Sequence, residues 1–262
     1  MKLNYKYFAL IVTPMILLGL TGISTLVLLG DYVWLLLTFV FWMLMSGLGI
    51  AVGFHRIYSH RTHDLKPWLD NVILICGTLA CQSSSLTWVA THIGYHHPNS
   101  DTEKDPHTPT KGIWHAFLGW TFLVNAQTIN HKYAVRLMRN KFHMFAHKHY
   151  FRIVWGFVLA LLLIAGWKAV LYGYCIAAMI SILTDNSVNV LGHFPKLGYR
   201  NFETRDQSSN FIPLGYLGWG QGWHNNHHQS PGKFDFGVTW WEWDPCKIFL
   251  PLLEFGSTKS SK

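Results

Sequence analysis

The sequence predicts an all-α fold: a bundle of four membrane-crossing helices beneath a helical cap rich in histidine. Three observations predict it. Half of the 262 residues are hydrophobic and only 13% are charged, against about 25% charged in a typical soluble domain. The apolar residues gather into long runs separated by polar, basic segments. The sixteen histidines fall in those polar segments or at the ends of the runs, never in mid-run.

The first run, residues 8–29, follows Lys2 and Lys6. It is too long for the apolar region of a signal peptide and has no small-residue cleavage site after it. About 20 apolar residues cross a bilayer, so it reads as a span. Gly30-Asp31 predicts a tight turn. The second run, 32–54, carries no charge and pairs with the first as a helical hairpin. Residues 55–150 then form the first part of the cap. Within them, 69–90 is moderately apolar but holds Gln82-Ser83-Ser84-Ser85. It is expected as a helix buried against the bundle or lying at the interface; if it crossed, the histidines before and after it would lie on opposite sides. Two more spans follow, 153–167 and 169–191, the first short and able to begin nearer Phe151. Residues 192–262 complete the cap. No repeat, low-complexity linker or second domain is evident, so 1–262 reads as a single membrane domain.

The charge distribution orients it. With four spans, every Lys and Arg except Lys168 lies on one side, that of the N-terminus, the cap and the tail. Positive segments stay inside, which places the N-terminus and the histidines in the cytoplasm. The net charge of +8 is then topology plus attraction to anionic lipid, and nucleic acid is not an expected partner. Cys76, Cys81, Cys175 and Cys246 show neither a paired nor a framework spacing. They are read as reduced cysteines, not as disulfides or ligands.

Three histidine groups stand out: His55 and His60; His92, His96 and His97; His224, His227 and His228. On an α-helix, residues four apart lie about 40° apart around the axis and residues three apart about 60°. His92 with His96, and His224 with His227 and His228, therefore reach one locus each. His55 and His60 are separated by about 140°, as are His92 and His97. Straight helices could not bring all of these to one metal, but two metals side by side could take them. Eight histidines also exceed the four ligands of structural zinc. Imidazole suits iron, copper, nickel and zinc, so ligand type leaves the metal open. His63, His115, His131, His143, His147 and His149 are expected at the surface or interface, and His107 in a structural role.

In these motifs the chain resembles the membrane fatty acyl desaturases, above all the Δ9 class that includes stearoyl-CoA desaturase and cyanobacterial acyl-lipid desaturases. Gly53-Phe-His-Arg-Ile-Tyr-Ser-His60-Arg resembles the first histidine box. Trp88 through His97, with Asp101 and Asp105-Pro-His107, resembles the second. Gly220-Gln-Gly-Trp-His-Asn-Asn-His-His228 resembles the third. The resemblance implies a di-iron centre held by His55, His60, His92, His96, His97, His224, His227 and His228. It adds His193 just after the fourth span, with Asn189 one turn earlier acting through a water. It also implies O2 as co-substrate and a fatty acyl substrate carried on CoA, acyl carrier protein or a glycerolipid. A separate electron donor, ferredoxin or a b-type cytochrome, is required, since no cytochrome domain is fused. Zinc can replace iron in a purified sample. The second span, around Met43 and Gly47, is expected to close the substrate tunnel. Two departures are visible: three residues separate His92 from His96 where close Δ9 relatives have two, and Gln221 stands where relatives usually carry Glu.

Desaturation needs such a centre, because an unactivated methylene has neither an acidic proton nor a leaving group. The oxidant is cofactor chemistry. The competing readings are a hydroxylase or other oxygenase acting on an alkyl chain or carotenoid, and a metal transporter or sensor. Transporters carry ionisable residues at mid-membrane. Here Asp185, near one end of the last span, is the exception among nearly charge-free runs.

Overall fold

The computed structural model describes residues 5–123 and 130–258. It is all-helical, and among these residues strand pairing is confined to isolated bridges. Among the described residues three helices are long and apolar enough to cross a membrane: α1 (Phe8–Leu29), α2 (Tyr32–Ser59) and a third at Tyr150–Leu191. Their outward faces carry Leu17, Leu28, Leu36, Leu163 and Ile164, all exposed. Aliphatic surface of that extent is suited to lipid and not to water.

The turn between α1 and α2 forms as expected, with Gly30 in the left-handed region at φ 68°. Gly lacks the Cβ that makes this conformation costly. Beside it, Asp31 pairs with Lys168 at 2.7 Å.

α2 departs from expectation. It runs past 54, where the span was expected to end, and from Met43 to Ser59 it is a π-helix, so His55 lies on it and His60 caps it. A further helix, α3 (Pro67–Leu79), packs on α2. At their crossing, a Cβ on Gly49 would come within 2.3 Å of the Gly77 nitrogen, so the backbones meet only because neither residue has a side chain.

The stretch read as one helix over 69–90 is two. α3 stops at Leu79, and Cys81 and Ser83 take positive φ values of 61° and 74°. Ser84 then caps α4 (Ser85–Thr91), its Oγ accepting from the Thr87 nitrogen. The chain reverses at this break. That is why the histidines before and after the stretch end up together. α4 runs on through a single π-turn, His92–His96.

The stretch 131–149, whose histidines were expected at the surface or interface, includes α5 (Lys141–Lys148). His143 on α5 is buried, not superficial: its Nδ1 meets Ser85 Oγ at 3.0 Å and its Nε2 meets Asp70 at 3.4 Å. α6 (Tyr150–Leu191) is broken at Gly166, φ 79° and ψ 177°. The break falls two residues before the Lys168 junction read from the sequence. Its second arm packs on α2, where Thr38 Oγ1 donates to the Tyr172 carbonyl at 2.7 Å.

The C-terminal segment holds α7 (Ile212–Leu217), α8 (His224–Gln229) and α9 (Leu250–Gly256). It is fastened to α2 by a buried ion pair, Arg56 to Asp244. Gly220, at φ 78°, lies against both: a Cβ there would sit 2.2 Å from Asp244 Oδ1 and 2.7 Å from the Arg56 guanidinium. The four cysteines are free thiols.

Candidate metal centre

The π-turns decide how the histidines meet. In a π-helix the backbone bond runs from residue i+5 to residue i, so residues five apart lie one above the other. The His60 N–H bonds to the His55 carbonyl at 3.2 Å, and the His97 N–H bonds to the His92 carbonyl. Both pairs expected to diverge by about 140° on an α-helix are thereby brought to one side.

The result is two clusters of imidazoles: His55, His60, His92, His97 and His227 in one, and His96, His193, His224 and His228 in the other. Within the first, Nε2 atoms lie 3.0 Å apart for His55 and His227, for His60 and His92, and for His92 and His97, and 3.1 Å for His97 and His227. Within the second, they lie 2.9 Å apart for His193 and His224, 3.1 Å for His224 and His228, and 3.3 Å for His96 and His228. His96 and His97, adjacent in sequence, thus serve different clusters. All nine histidines named by the sequence reading fall in one cluster or the other.

The outward nitrogens explain why the inward ones carry lone pairs. His96 Nδ1 donates to Asp105 Oδ2 at 2.9 Å, His193 Nδ1 to Asp101 Oδ2 at 3.2 Å, and His228 Nδ1 to Asp206 Oδ2 at 2.7 Å. His55 Nδ1 donates to Gln221 Oε1. A neutral imidazole has one N–H. With that proton at Nδ1, as at these four histidines, Nε2 offers only a lone pair, and those of His96 and His228 face each other at 3.3 Å. Bare acceptors at 3 Å repel unless a cation lies among them. Two nitrogens bound to one ion at about 2.1 Å and at right angles are themselves about 3.0 Å apart. The donor set and its spacing therefore fit a pair of metal ions, one per cluster. The carboxylate–histidine arrangement is the one that metal-bound histidines ordinarily have.

Burial keeps six of these imidazoles neutral. Burial, then the positive neighbours that protonated His228 and Arg56 represent, lowers His60 to about 3. Burial, reinforced by surrounding histidines, pushes His92, His97, His224 and His227 well below their ordinary value. Burial also takes His228 down to about 4, against the pull of Asp206. Burial would raise Asp206 and Asp105, but His228 beside the first, and His107 with His96 beside the second, hold both far below the carboxylate range.

The third group sits on a helix of only six residues, too short to hold itself. The asparagines between its histidines hold it. Asn225 Oδ1 accepts from the Asn201 and Phe202 nitrogens at 2.9 Å. Asn226 Nδ2 donates to the Phe236 carbonyl at 2.9 Å and to Glu242 at 3.1 Å. Asn210 Oδ1 caps the helix, accepting from the Asn225 nitrogen at 3.0 Å. The sequence reading passed over Asp206, Asn210, Asn225, Asn226 and Glu242. An asparagine pair inside a histidine box was the one local signal.

A cavity of about 290 Å³ opens onto the clusters. Its lining includes Trp88, Trp120, Ile182 and Val188, the polar Gln82, Asp185 and Gln221, and His55, His92, His96 and His224 of the clusters. Asn189 lines it too, its amide donating to the Ala116 carbonyl at 3.4 Å. His107 is buried, as a structural residue would be, and also lines the cavity. Met43 and Gly47 are not among the lining residues. Gly47 lies against the indole of Trp219, which a Cβ would approach to 2.9 Å. Of the histidines expected at the surface or interface, His63, His115, His131, His147 and His149 are half-buried, and His147 bonds Ser84 Oγ at 2.6 Å.

The sequence compares with known proteins as follows. The model of a family described as fatty acid desaturase matches residues 8–249. An sn-1 stearoyl-lipid 9-desaturase of Synechocystis sp. is 35% identical over 218 residues, covering 83% of this chain and 68% of the relative. An sn-2 palmitoyl-lipid 9-desaturase of Nostoc sp. is 32% identical over 223 residues, 84% and 77% of the two chains. An icosanoyl-CoA 5-desaturase of Limnanthes douglasii is 29% identical over 248 residues, 93% and 68%.

Proposed function

This chain belongs to the fatty acid desaturase family and is a membrane-bound fatty acyl desaturase, and on that premise we propose that it places a cis double bond at the Δ9 position of a saturated acyl chain, using O2 at two iron ions held by the histidine clusters. The observation that carries this reading is the cavity, walled in part by Trp88, Trp120, Ile182 and Val188 and reaching His55, His92, His96 and His224. A pocket between helices suits an extended apolar ligand. The relatives named for sn-1 and sn-2 lipids favour a glycerolipid as carrier, and the relative named for a CoA substrate makes acyl-CoA the alternative.

His55, His60, His92, His97 and His227 would hold one ion and His96, His193, His224 and His228 the other, with Asn189 acting through a water. Bound there, the ions supply the oxidising power that no side chain has, with O2 as the acceptor. Overall, the CH2–CH2 pair loses two hydrogens; O2 takes these with two protons and two electrons, giving one alkene and two waters. The electrons come from a separate one-electron carrier, ferredoxin or a b-type cytochrome. The chain's own residues do the rest. Asp101, Asp105, Asp206 and Gln221 fix the imidazole tautomers. The aromatic and aliphatic walls exclude water and hold one carbon pair in register.

The break at Gly166 divides the 42 residues of α6, about 63 Å of helix at 1.5 Å per residue, into two arms that would cross separately. That makes four crossings, with α1 and α2 as the first two. The histidines, the N-terminus and the basic segments then share the cytoplasmic side.

The test is lipid mass spectrometry of a desaturase-deficient host expressing this protein, with a His227→Ala control. New monounsaturated chains absent from the control are expected, and their cleavage products locate the bond. Hydroxylated chains instead would move the assignment to a hydroxylase. No product with both electron carriers supplied would remove acyl lipids as the substrate.

A further inference from the structure

The imidazoles of His96, His193 and His228 each have an aspartate at Nδ1. His55 does not. Its Nδ1 meets the side-chain oxygen of Gln221, and the Gln221 amide nitrogen donates to Asp185 Oδ1 at 3.0 Å. The second oxygen of Asp185 accepts from Gln82 Nε2, itself anchored to Ser181 Oγ at 2.9 Å. The carboxylate is thus present, one hydrogen bond further back.

We infer that Asp185 is a positioning residue for the five-histidine cluster: it fixes the Gln221 amide so that its oxygen faces His55, and thereby keeps the His55 Nε2 lone pair turned toward the metal. This rests on the proposed metal role of the histidines and extends it to a residue outside all three histidine groups.

An amide has two unlike ends, and His55 alone cannot choose between them. With Oε1 toward His55, the imidazole carries its proton at Nδ1 and Nε2 is free to coordinate. With Nε2 toward His55, Nδ1 must be the acceptor and the proton moves to the inward nitrogen, which then cannot bind a metal. The partner at the far end of the amide decides. An ionised carboxylate only accepts, so it takes the NH2 end and repels the oxygen. Gln82, donating to the other carboxylate oxygen, holds Asp185 from behind. A glutamate at 221 would accept from His55 unaided, but it would stand against Asp185, and two carboxylates at that distance repel. Gln221 and Asp185 form a matched pair.

The test is cobalt(II) titration of the purified, metal-stripped protein in detergent, with folding checked by gel filtration. Wild type is expected to take two equivalents. Asp185→Leu should weaken one of them about 10–100-fold, the usual effect of losing such an outer partner, and leave the other unchanged. Asp185→Asn, the milder variant should the leucine form not fold, should act in the same direction. Gln221→Glu alone should also weaken one equivalent, and Asp185→Asn placed in that background should restore it. Restoration reverses the sign of the same substitution, which a merely structural role would not do. Two unweakened equivalents in the Asp185 variants, or a double variant worse than either single one, would overturn the inference. Wild-type protein that binds no cobalt would overturn the metal reading itself.

Discussion

Arg56 and Asp244 form an ion pair of 2.7 Å in which neither side chain reaches solvent. Arg56 follows His55 on α2, and Asp244 lies in the C-terminal segment. Arg56 also donates to the Phe234 carbonyl at 2.8 Å and the Ala51 carbonyl at 2.7 Å, and its guanidinium lies 3.8 Å from the centre of the Phe236 ring. Asp244 accepts from the Phe236 and Cys246 nitrogens at 3.0 and 2.9 Å. The pair joins the first histidine group to the segment that positions the third.

Asp244→Ala should therefore destabilise the protein by about 3–5 kcal/mol, since it leaves Arg56 buried and uncompensated. Some buried pairs can be replaced together by apolar residues without loss. Here Arg56→Met with Asp244→Leu should remain destabilised, because the Phe236 and Cys246 N–H groups and the Phe234 carbonyl lose these partners. Thermal unfolding of detergent-solubilised variants checks both.

Acid sensitivity should trace in part to Glu242. Its carboxylate accepts from Tyr199, from Asn201 at 2.8 Å, from Asn226 at 3.1 Å, and from the Val238 and Thr239 nitrogens at 2.8 and 2.9 Å. Burial works to raise its pKa, but the Tyr199 hydroxyl and those amides outweigh it and hold the group below its ordinary 4.5. The unfolded chain then takes up a proton before the folded one, so this contribution is present above about 4.5 and lost as pH falls toward the folded value. Glu242→Gln should be less stable at pH 7 by about 2 kcal/mol and should show a flatter melting temperature between pH 5 and 3.

Filling the cavity should separate substrate binding from metal binding. Ile182 is buried and lines the wall. Ile182→Trp should abolish or shorten the product at an overpacking cost of about 1–3 kcal/mol, with metal content unchanged. An unaltered product profile, read by lipid mass spectrometry, would mean that the acyl chain takes another path.

Removing metal should loosen the fold. With the ions gone, the lone pairs of His96 and His228 would face each other at 3.3 Å without a cation. A ligand bound at 100 times its Kd contributes about 2.7 kcal/mol. Chelation should lower the melting temperature accordingly, and iron(II) should restore it.

Much of this was legible in the sequence. The apolar runs, the Gly30 turn and all three histidine groups could be read from local pattern, and Asp101 and Asp105 came with the second group. The register was not legible. A 3.6-residue period separates His55 from His60, and the i+5 bond that unites them leaves no periodic trace. The break after Leu79 was hidden because Cys81 and Ser83 adopt positive φ without being glycine. The supports were out of reach for another reason. Arg56 finds Asp244 across 188 positions and Gln221 finds Asp185 across 36; Asp185 and Gln221 each stood out in the sequence, but nothing local paired them.

His55 and His227, whose Nε2 atoms meet at 3.0 Å, stand 172 positions apart in the chain. Chains are made from the N-terminus at about 5–20 residues per second, so α2 is complete many seconds before α8 exists. During that interval the helical hairpin and its end carry only His55 and His60, two of the five histidines of that cluster. A metal that later ties His55 to His227 closes a loop of that length, and a long loop costs little more to close than a short one. The ions would then act as late staples on a chain already inserted in its membrane, and the supply of metal would set how much of the inserted protein matures.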